Sequence, residues 1–496
     1  VYCRHAFSTF TTLLLFFNSH GLTRGFLTVN TGNKRTFSYL SRGGDLTPSP
    51  PVVCATQKET SRTALAAAAG IGSMSRSSSE KEQVVSSTSI LEAVEHYLNV
   101  DKVDDIGINV WYRVWGNPEG IPVLFVHGGP GNCVAHYGNI NADFFDKDTY
   151  FVVEVDQRGT GKSTPSVQDL TSVDDDVYGK INVGVRNMAY YRDINIQQMS
   201  ADFEQVREHL GIDKWLVFGG SWGSTLGLDY AQRYPKACLG LIVRGIFLSI
   251  EDEMHDVYTL TAIEALAKKL NDERYLREFH TFFEVADREF RKHLGGKTME
   301  FAGRPFKGTT PTKQPNAAIQ LSPNDARGIL QVYEHLIQKG NREAIWKFFV
   351  FECNLMEEDP SALLDPETIN ENDFAEAQSV SFFEARLFLK GVYESEKEEF
   401  DLLESVPRLT NSVGPSEENH HVPTWVVQGT GDVVCPDKYA EKLVEKLESA
   451  GVLMNSYFVD AGHKASSTGI HDKLVDVVKE FYEVYKGEGE ADIEEK

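Results

Sequence analysis

The stretch Trp215-Leu216-Val217-Phe218-Gly219-Gly220-Ser221-Trp222-Gly223-Ser224-Thr225 constrains the fold of this chain more than any other. An apolar run stops at two glycines, a serine follows, and a helix-like segment (STLGLDYAQRYP) begins. A serine at the tip of so sharp a turn is strained. The residues two positions either side of it come too close to carry side chains. Gly219 and Gly223, which have no Cβ, meet that need. The turn lifts the Ser221 hydroxyl out of the end of a sheet and aims the Trp222 N–H at the same point.

The rest of the chain supplies such a sheet. From about 108 apolar strand patterns and helical patterns alternate, which is the signature of an α/β sheet. INVWYRVWG and IPVLFVHGG are two strands joined through Asn117-Pro118-Glu119-Gly120, and YFVVEVD (150–156) is a third. QMSADFEQVREHLGI (198–212) is a helix with Met199, Phe203, Val206 and Leu210 at helical spacing. The elbow follows, then the buried strand LGLIVRGIFL (239–248). From about 250 to 400 the pattern turns helical: ALAKKLNDERYLREFHTFFEVADREFRKHL as one segment, then DARGILQVYEHLIQ, REAIWKFFVFECNLM and FAEAQSVSFFEARLFLKGVY. Strands return at PTWVVQGTGD and MNSYFVDAGH, and a helix, LVDVVKEFYEVYK, closes the core.

The expected architecture is a mostly parallel sheet with helices on both faces and an inserted helical cap. Its boundaries are 80–249 and 406–486 for the two parts of the core and 250–405 for the cap. An acidic, disordered tail is expected over 487–496.

Charge bounds the partners. The chain of 496 residues carries a net −24, so neither nucleic acid nor an anionic membrane is an expected partner, since both want basic patches. Residues 1–79 differ, with eight Lys/Arg against two acids. They hold an apolar patch, Phe7 to Phe17, too short to span a bilayer as a helix, followed by Ser/Thr/Arg-rich sequence. This composition reads as a disordered targeting presequence, or as an over-extended gene model upstream of the first methionine, Met74. The compartment follows: plastid or mitochondrial with the presequence, cytoplasmic from Met74. Six cysteines show no C-x-x-C pair and no regular spacing, which argues against a disulfide or zinc framework.

Acyl transfer by a serine needs a base, an acid that orients it, and donors for the oxyanion. Asp432 follows the strand TWVVQ in GTGDVVCP, and His463 follows the strand NSYFV in DAGHKAS. Both stand at strand ends in the order Ser…Asp…His. His127-Gly128-Gly129-Pro130-Gly131 comes straight after PVLFV, and its adjacent glycines let a backbone N–H approach an oxyanion. Gly129 and Trp222 are the expected donors. GTGKS (159–163) lacks the spacing of a phosphate loop and reads as structural support.

HGGPG, DQRGTGKS, REHLGIDKWLVFGGSWGSTLGLDYAQRYP, VRGIFL, GTGDVVCP and AGHKA together resemble the proline iminopeptidase family of α/β hydrolases. The resemblance is dense over about 105–250 and looser over 340–485. It implies a serine exopeptidase that releases an N-terminal proline from small peptides, with no metal or cofactor, using Ser221, His463 and Asp432. IWKFFVFE (345–352) is similar to the family's W-x-x-W-E segment and FEARLF (383–388) to its E-N-H-Y-F segment. By that similarity Glu352 and Glu384 pair with the substrate's amino terminus. An ammonium in a low-dielectric pocket needs a carboxylate beside it. The first segment here lacks its second tryptophan, and Ala385-Arg386-Leu387 replaces Asn-His-Tyr in the second. Two alternatives remain: an esterase or amidase on small acyl substrates, and a non-catalytic binding protein on the same scaffold.

Overall fold

The computed structural model describes residues 93–169, 181–293, 320–394, 401–411 and 420–494, with short stretches at 12–18, 21–28, 36–39, 173–174, 300–301 and 304–308. The chain divides into two compact units, Val1–Glu80 and Lys81–Lys496. In the first, strands Thr12–Asn18, Gly21–Thr28 and Thr36–Tyr39 pair as an antiparallel meander. The remainder of the expected presequence lies outside the described residues.

The second unit is built on eight strands: β1 (Val94–Val103), β2 (Ile106–Gly116), β3 (Ile121–Val126), β4 (Tyr150–Val155), β5 (Trp215–Ser221), β6 (Cys238–Ile246), β7 (Thr424–Gly429) and β8 (Leu453–Val459). Their spatial order is β8-β7-β6-β5-β3-β4-β2-β1. Pairing is parallel from β8 through to β4 and antiparallel at both ladders of β2. Such a sheet is covered on both faces, so its central strands read as continuous apolar runs. Successive residues feed two separate cores. Leu124, Val153, Val217, Val243 and Val426 belong to one, and Val123, Val152, Leu216, Ile242 and Val427 to the other.

The edge strand β1 was not legible in the sequence. It joins β2 through Asp104-Asp105, both with positive φ (46° and 69°), a two-residue hairpin connection whose twist suits the sheet.

Helices α1 (Ile196–His209) and α2 (Trp222–Arg233) flank the elbow strand. The insertion between β6 and β7 contributes α3 (Glu251–Tyr258), α4 (Leu260–Leu270), α5 (Arg274–His293), α6 (Ala326–Gln338), α7 (Arg342–Met356) and α8 (Phe374–Phe388). The segment read as one helix from Ala265 is two, because Asn271 adopts the left-handed conformation (φ 52°) and ends α4. Phe282 stacks on Tyr333 (centroids 4.5 Å apart) and on Phe351 (4.3 Å), tying α5 to α6 and α7. After β7 comes α9 (Asp437–Ala450), and α10 (Thr468–Glu494) follows β8, so the acidic end of the chain continues this last helix to Glu494. Because β3 through β8 run parallel, the loops that follow them all emerge at one end of the sheet, where open α/β sheets bind ligands.

Candidate active site

Ser221 sits between β5 and α2 with φ 57° and ψ −130°, a conformation that costs a non-glycine residue of order 1–3 kcal/mol. The crowding read from the sequence is present. A Cβ on Gly219 would lie 2.2 Å from the Gly223 carbonyl oxygen, and one on Gly223 2.3 Å from that of Val126. Hydrogen bonds from the first turn of α2 hold the strained turn in place. The Ser224 hydroxyl donates to the Ser221 carbonyl (2.7 Å) and accepts from the Phe247 amide (3.0 Å), while the Thr225 hydroxyl donates to the Phe247 carbonyl (2.6 Å).

Asp432 and His463 come together inside the protein. His463 Nδ1 stands 2.7 Å from Asp432 Oδ2, and Oδ1 accepts the amides of Val434 (3.0 Å) and Cys435 (2.8 Å). The aspartate therefore caps its own loop with one oxygen while the other meets the His463 ring. Gly245 brings this pair next to the strand that carries the register partner of Ser221. It precedes Ile246, the register partner of Ser221, and a Cβ on it would lie 3.4 Å from His463 Cε1 and 3.7 Å from Asp432 Oδ2. Asp432, Cys435 and His463 bring potential metal-ligand atoms within 4.8 Å of one another. The donors fit a metal poorly: the Asp432 oxygens are engaged as described, and burial pushes the Cys435 thiol well up, keeping it protonated.

The glycine loop after β3 packs against the elbow, with a Cβ on Gly128 placed 3.4 Å from Ser221 Cβ. The Gly128 amide donates to the Tyr137 hydroxyl (2.7 Å), whereas that of Gly129, at φ 111°, meets no acceptor among the described residues. The amide of Trp222, at the first position of α2, has no intrahelical partner. His127 is fully buried and its pKa is lowered to about 4 by burial, so it is neutral, and its Nε2 accepts the Gln157 amide (3.1 Å). The Gln157 side chain donates to the His127 carbonyl (2.9 Å) and accepts the Trp222 indole N–H (3.1 Å). One glutamine thus joins three loops. Just before the GTGKS segment, Asp156 accepts the amides of Val134 and Lys162, and Lys162 pairs with Glu95. These are scaffold contacts.

The cap brings the two glutamates into one buried, electrostatically linked site. Glu352 on α7 and Glu384 on α8 are each 6% exposed. Burial raises the Glu352 pKa to about 7, and burial plus the Glu352 charge raises that of Glu384 well above the usual range. The Tyr258 hydroxyl, from α3, donates to Glu352 Oε1, while Glu384 Oε2 has no hydrogen-bond partner. Nothing in the sequence around Tyr258 signalled that role. On α8, Ser379 donates to the Gly131 carbonyl (2.6 Å), which sets Glu384 about 7.5 Å further along the helix from the glycine loop. Rings lead from the elbow to the same place: Trp222, Phe247, Phe388 and Tyr258 follow one another at centroid separations of 6.4, 5.3 and 6.3 Å.

The residues that depart from the family pattern are committed elsewhere. Arg386 pairs with Glu334 (2.8 Å) and donates to the Arg192 carbonyl. Just beyond α7, Glu357 accepts Lys464 Nζ (2.6 Å), and Glu358 Oε1 lies 2.1 Å from where a Cβ on Gly462 would stand. The loop that bears His463 therefore rests against the end of the helix that bears Glu352.

A serine on a strand-to-helix elbow, a His–Asp pair in the loops after β7 and β8 and an open, mostly parallel eight-stranded sheet define an α/β hydrolase. The family model for the α/β-hydrolase fold matches residues 121–469, and the chain belongs to that family. Within it the chain belongs with the proline iminopeptidases. The proline iminopeptidase of Arabidopsis thaliana is 30% identical over 406 residues, covering 80% of this chain and 83% of that one. That of Neisseria meningitidis serogroup A is 28% identical, covering 78% and 95%. A probable proline iminopeptidase of Leptolyngbya boryana is 28% identical, covering 75% and 90%. Among the described residues no helix is long and apolar enough to cross a membrane.

Proposed function

We propose that this protein is a serine exopeptidase that removes proline from the amino terminus of small peptides. One observation supports that reading above the others: a pair of buried carboxyl groups, Glu352 and Glu384, one with an unpartnered oxygen, in the cap above the glycine loop. Two acids forced together without a cation are costly, and a substrate's secondary ammonium supplies the missing charge. With that amine held in the cap, the carbonyl of the first residue falls to Ser221.

The chemistry then runs through the elbow. Ser221 Oγ bonds to the prolyl carbonyl carbon as its proton passes to His463, whose ring Asp432 orients. The amides of Gly129 and Trp222 take up the charge on the carbonyl oxygen. The C–N bond breaks as His463 returns the proton to the leaving peptide nitrogen. Water, deprotonated by the same histidine, releases proline from the ester.

Purified protein assayed on proline, alanine and N-blocked proline aryl amides tests the reading. Turnover of the free prolyl amide alone is expected. Equal turnover of the blocked amide would favour an esterase or amidase instead, and no turnover of any amide or ester would leave a binding protein.

A further inference from the structure

The G-x-S-x-G pattern asks for glycine at 219 and 223, yet position 220 is glycine too, and the reaction above gives no reason for it. The reason lies on β6. Arg244 is the register partner of both Gly220 and Val427, and it is only 8% exposed. A Cβ on Gly220 would lie 2.3 Å from Arg244 Nε and 2.8 Å from its Cζ, so the guanidinium lies directly over the residue that precedes Ser221. Its Nη1 donates to the carbonyl oxygen of His463 at 2.8 Å. Among the described residues it makes no ion pair, and it lines a small cavity shared with Tyr137, Asn141 and Ala465. A cation buried with so little compensation is expensive, and stability alone does not account for it.

We propose that Arg244 is a positioning residue for the reaction, one that fixes the height of His463 relative to Ser221. The proposal rests on the assignment of those two residues as base and nucleophile. Ser221, at the end of β5, and His463, in the loop after β8, stand 242 positions apart in the chain, so a rigid group that touches both sides fixes their relative placement. A planar guanidinium does so: one edge lies against Gly220 while Nη1 reaches the His463 backbone. Lysine, with a single mobile ammonium, cannot cover both contacts at once. Gly220 is then the space that the guanidinium requires.

The test uses the full-length protein with a fluorophosphonate that labels an activated serine, alongside kcat and KM for a prolyl aryl amide. In Arg244→Gln the labelling rate and kcat are expected to fall together by roughly 10- to 100-fold, the scale of a misplacement of about 1 Å. KM should stay within about twofold, because the amine site is untouched. Arg244→Lys should lie between this variant and wild type. In Arg244→Ala, millimolar guanidinium should restore labelling at least several-fold where sodium chloride does not. Wild-type labelling by a folded Arg244→Gln protein overturns the proposal. So does a loss that merely tracks the unfolded fraction without guanidinium rescue. If Ser221→Ala is still labelled as wild type is, the nucleophile assignment itself fails, and that outcome is separate from the others.

Discussion

The two carboxylate oxygens of Asp432 have different partners: Oδ2 meets Nδ1 of His463 at 2.7 Å, and Oδ1 takes the amides of Val434 and Cys435. Asn in place of this aspartate keeps an acceptor for the two amides but presents the wrong partner to the ring. Asp432→Asn is therefore expected to fold and to lose about 10⁴-fold in kcat with KM little changed. Ser221→Ala and His463→Ala should each be as severe, and the double variant scarcely worse than either. Additive losses would show that the residues do not act as one unit.

Glu352→Gln and Glu384→Gln each keep shape and remove a charge. For a free prolyl aryl amide kcat/KM should fall about 30-fold or more, the low end of the cost of truncating a buried charge pair. An uncharged ester cleaved through Ser221 should lose far less. Equal losses on both substrates would assign the glutamates to the fold.

The raised acidities give a pH signature. With Glu352 near 7 in the folded protein against 4.5 unfolded, the native state binds the extra proton between those values. Stability of the ligand-free protein should accordingly be greatest below about 4.5, as far as this group is concerned, and decline as pH climbs through 7. Binding of a prolyl amine should ionise the site and release protons near pH 6. Calorimetry in two buffers of different ionisation enthalpy measures that release, and proton uptake on binding would contradict the assigned site.

Gly223→Ala sets a methyl against a backbone oxygen at 2.3 Å, whereas Gly227→Ala on the same helix meets only side-chain carbons at 3.4 Å and beyond. Urea unfolding should show the first destabilised by about 1–3 kcal/mol and the second neutral or improved.

Much of this was legible because each motif answered to a local steric rule. The glycines at 219 and 223, the strand ends before Asp432 and His463, and the apolar runs of β3 to β7 follow from the chain's own neighbours. Contacts between distant segments left no such mark. Gly245 beside His463, Tyr258 on Glu352 and Gln157 joining three loops are isolated residues without periodicity around them. Strand β1 was missed because both of its faces are largely polar or half-exposed, so the alternation that reveals a buried strand is weak. The join between α4 and α5 depended on one asparagine entering the left-handed region, which apolar spacing does not report.

Helix α7 carries Glu352 in its body, and the residues just past its end meet the histidine loop through Glu357–Lys464 and Glu358–Gly462. On the roles proposed for Glu352 and His463, recognition and proton transfer would share a single lever. Under that proposal a force exerted by a seated amine on the helix would reach the histidine loop through Glu357 and Lys464, and by reciprocity the state of that loop would act back on the grip on the amine. A chimaera that imports a foreign cap while leaving Lys464 without its acid would cut this linkage. Such an enzyme would retain both halves of its chemistry and lose their coordination.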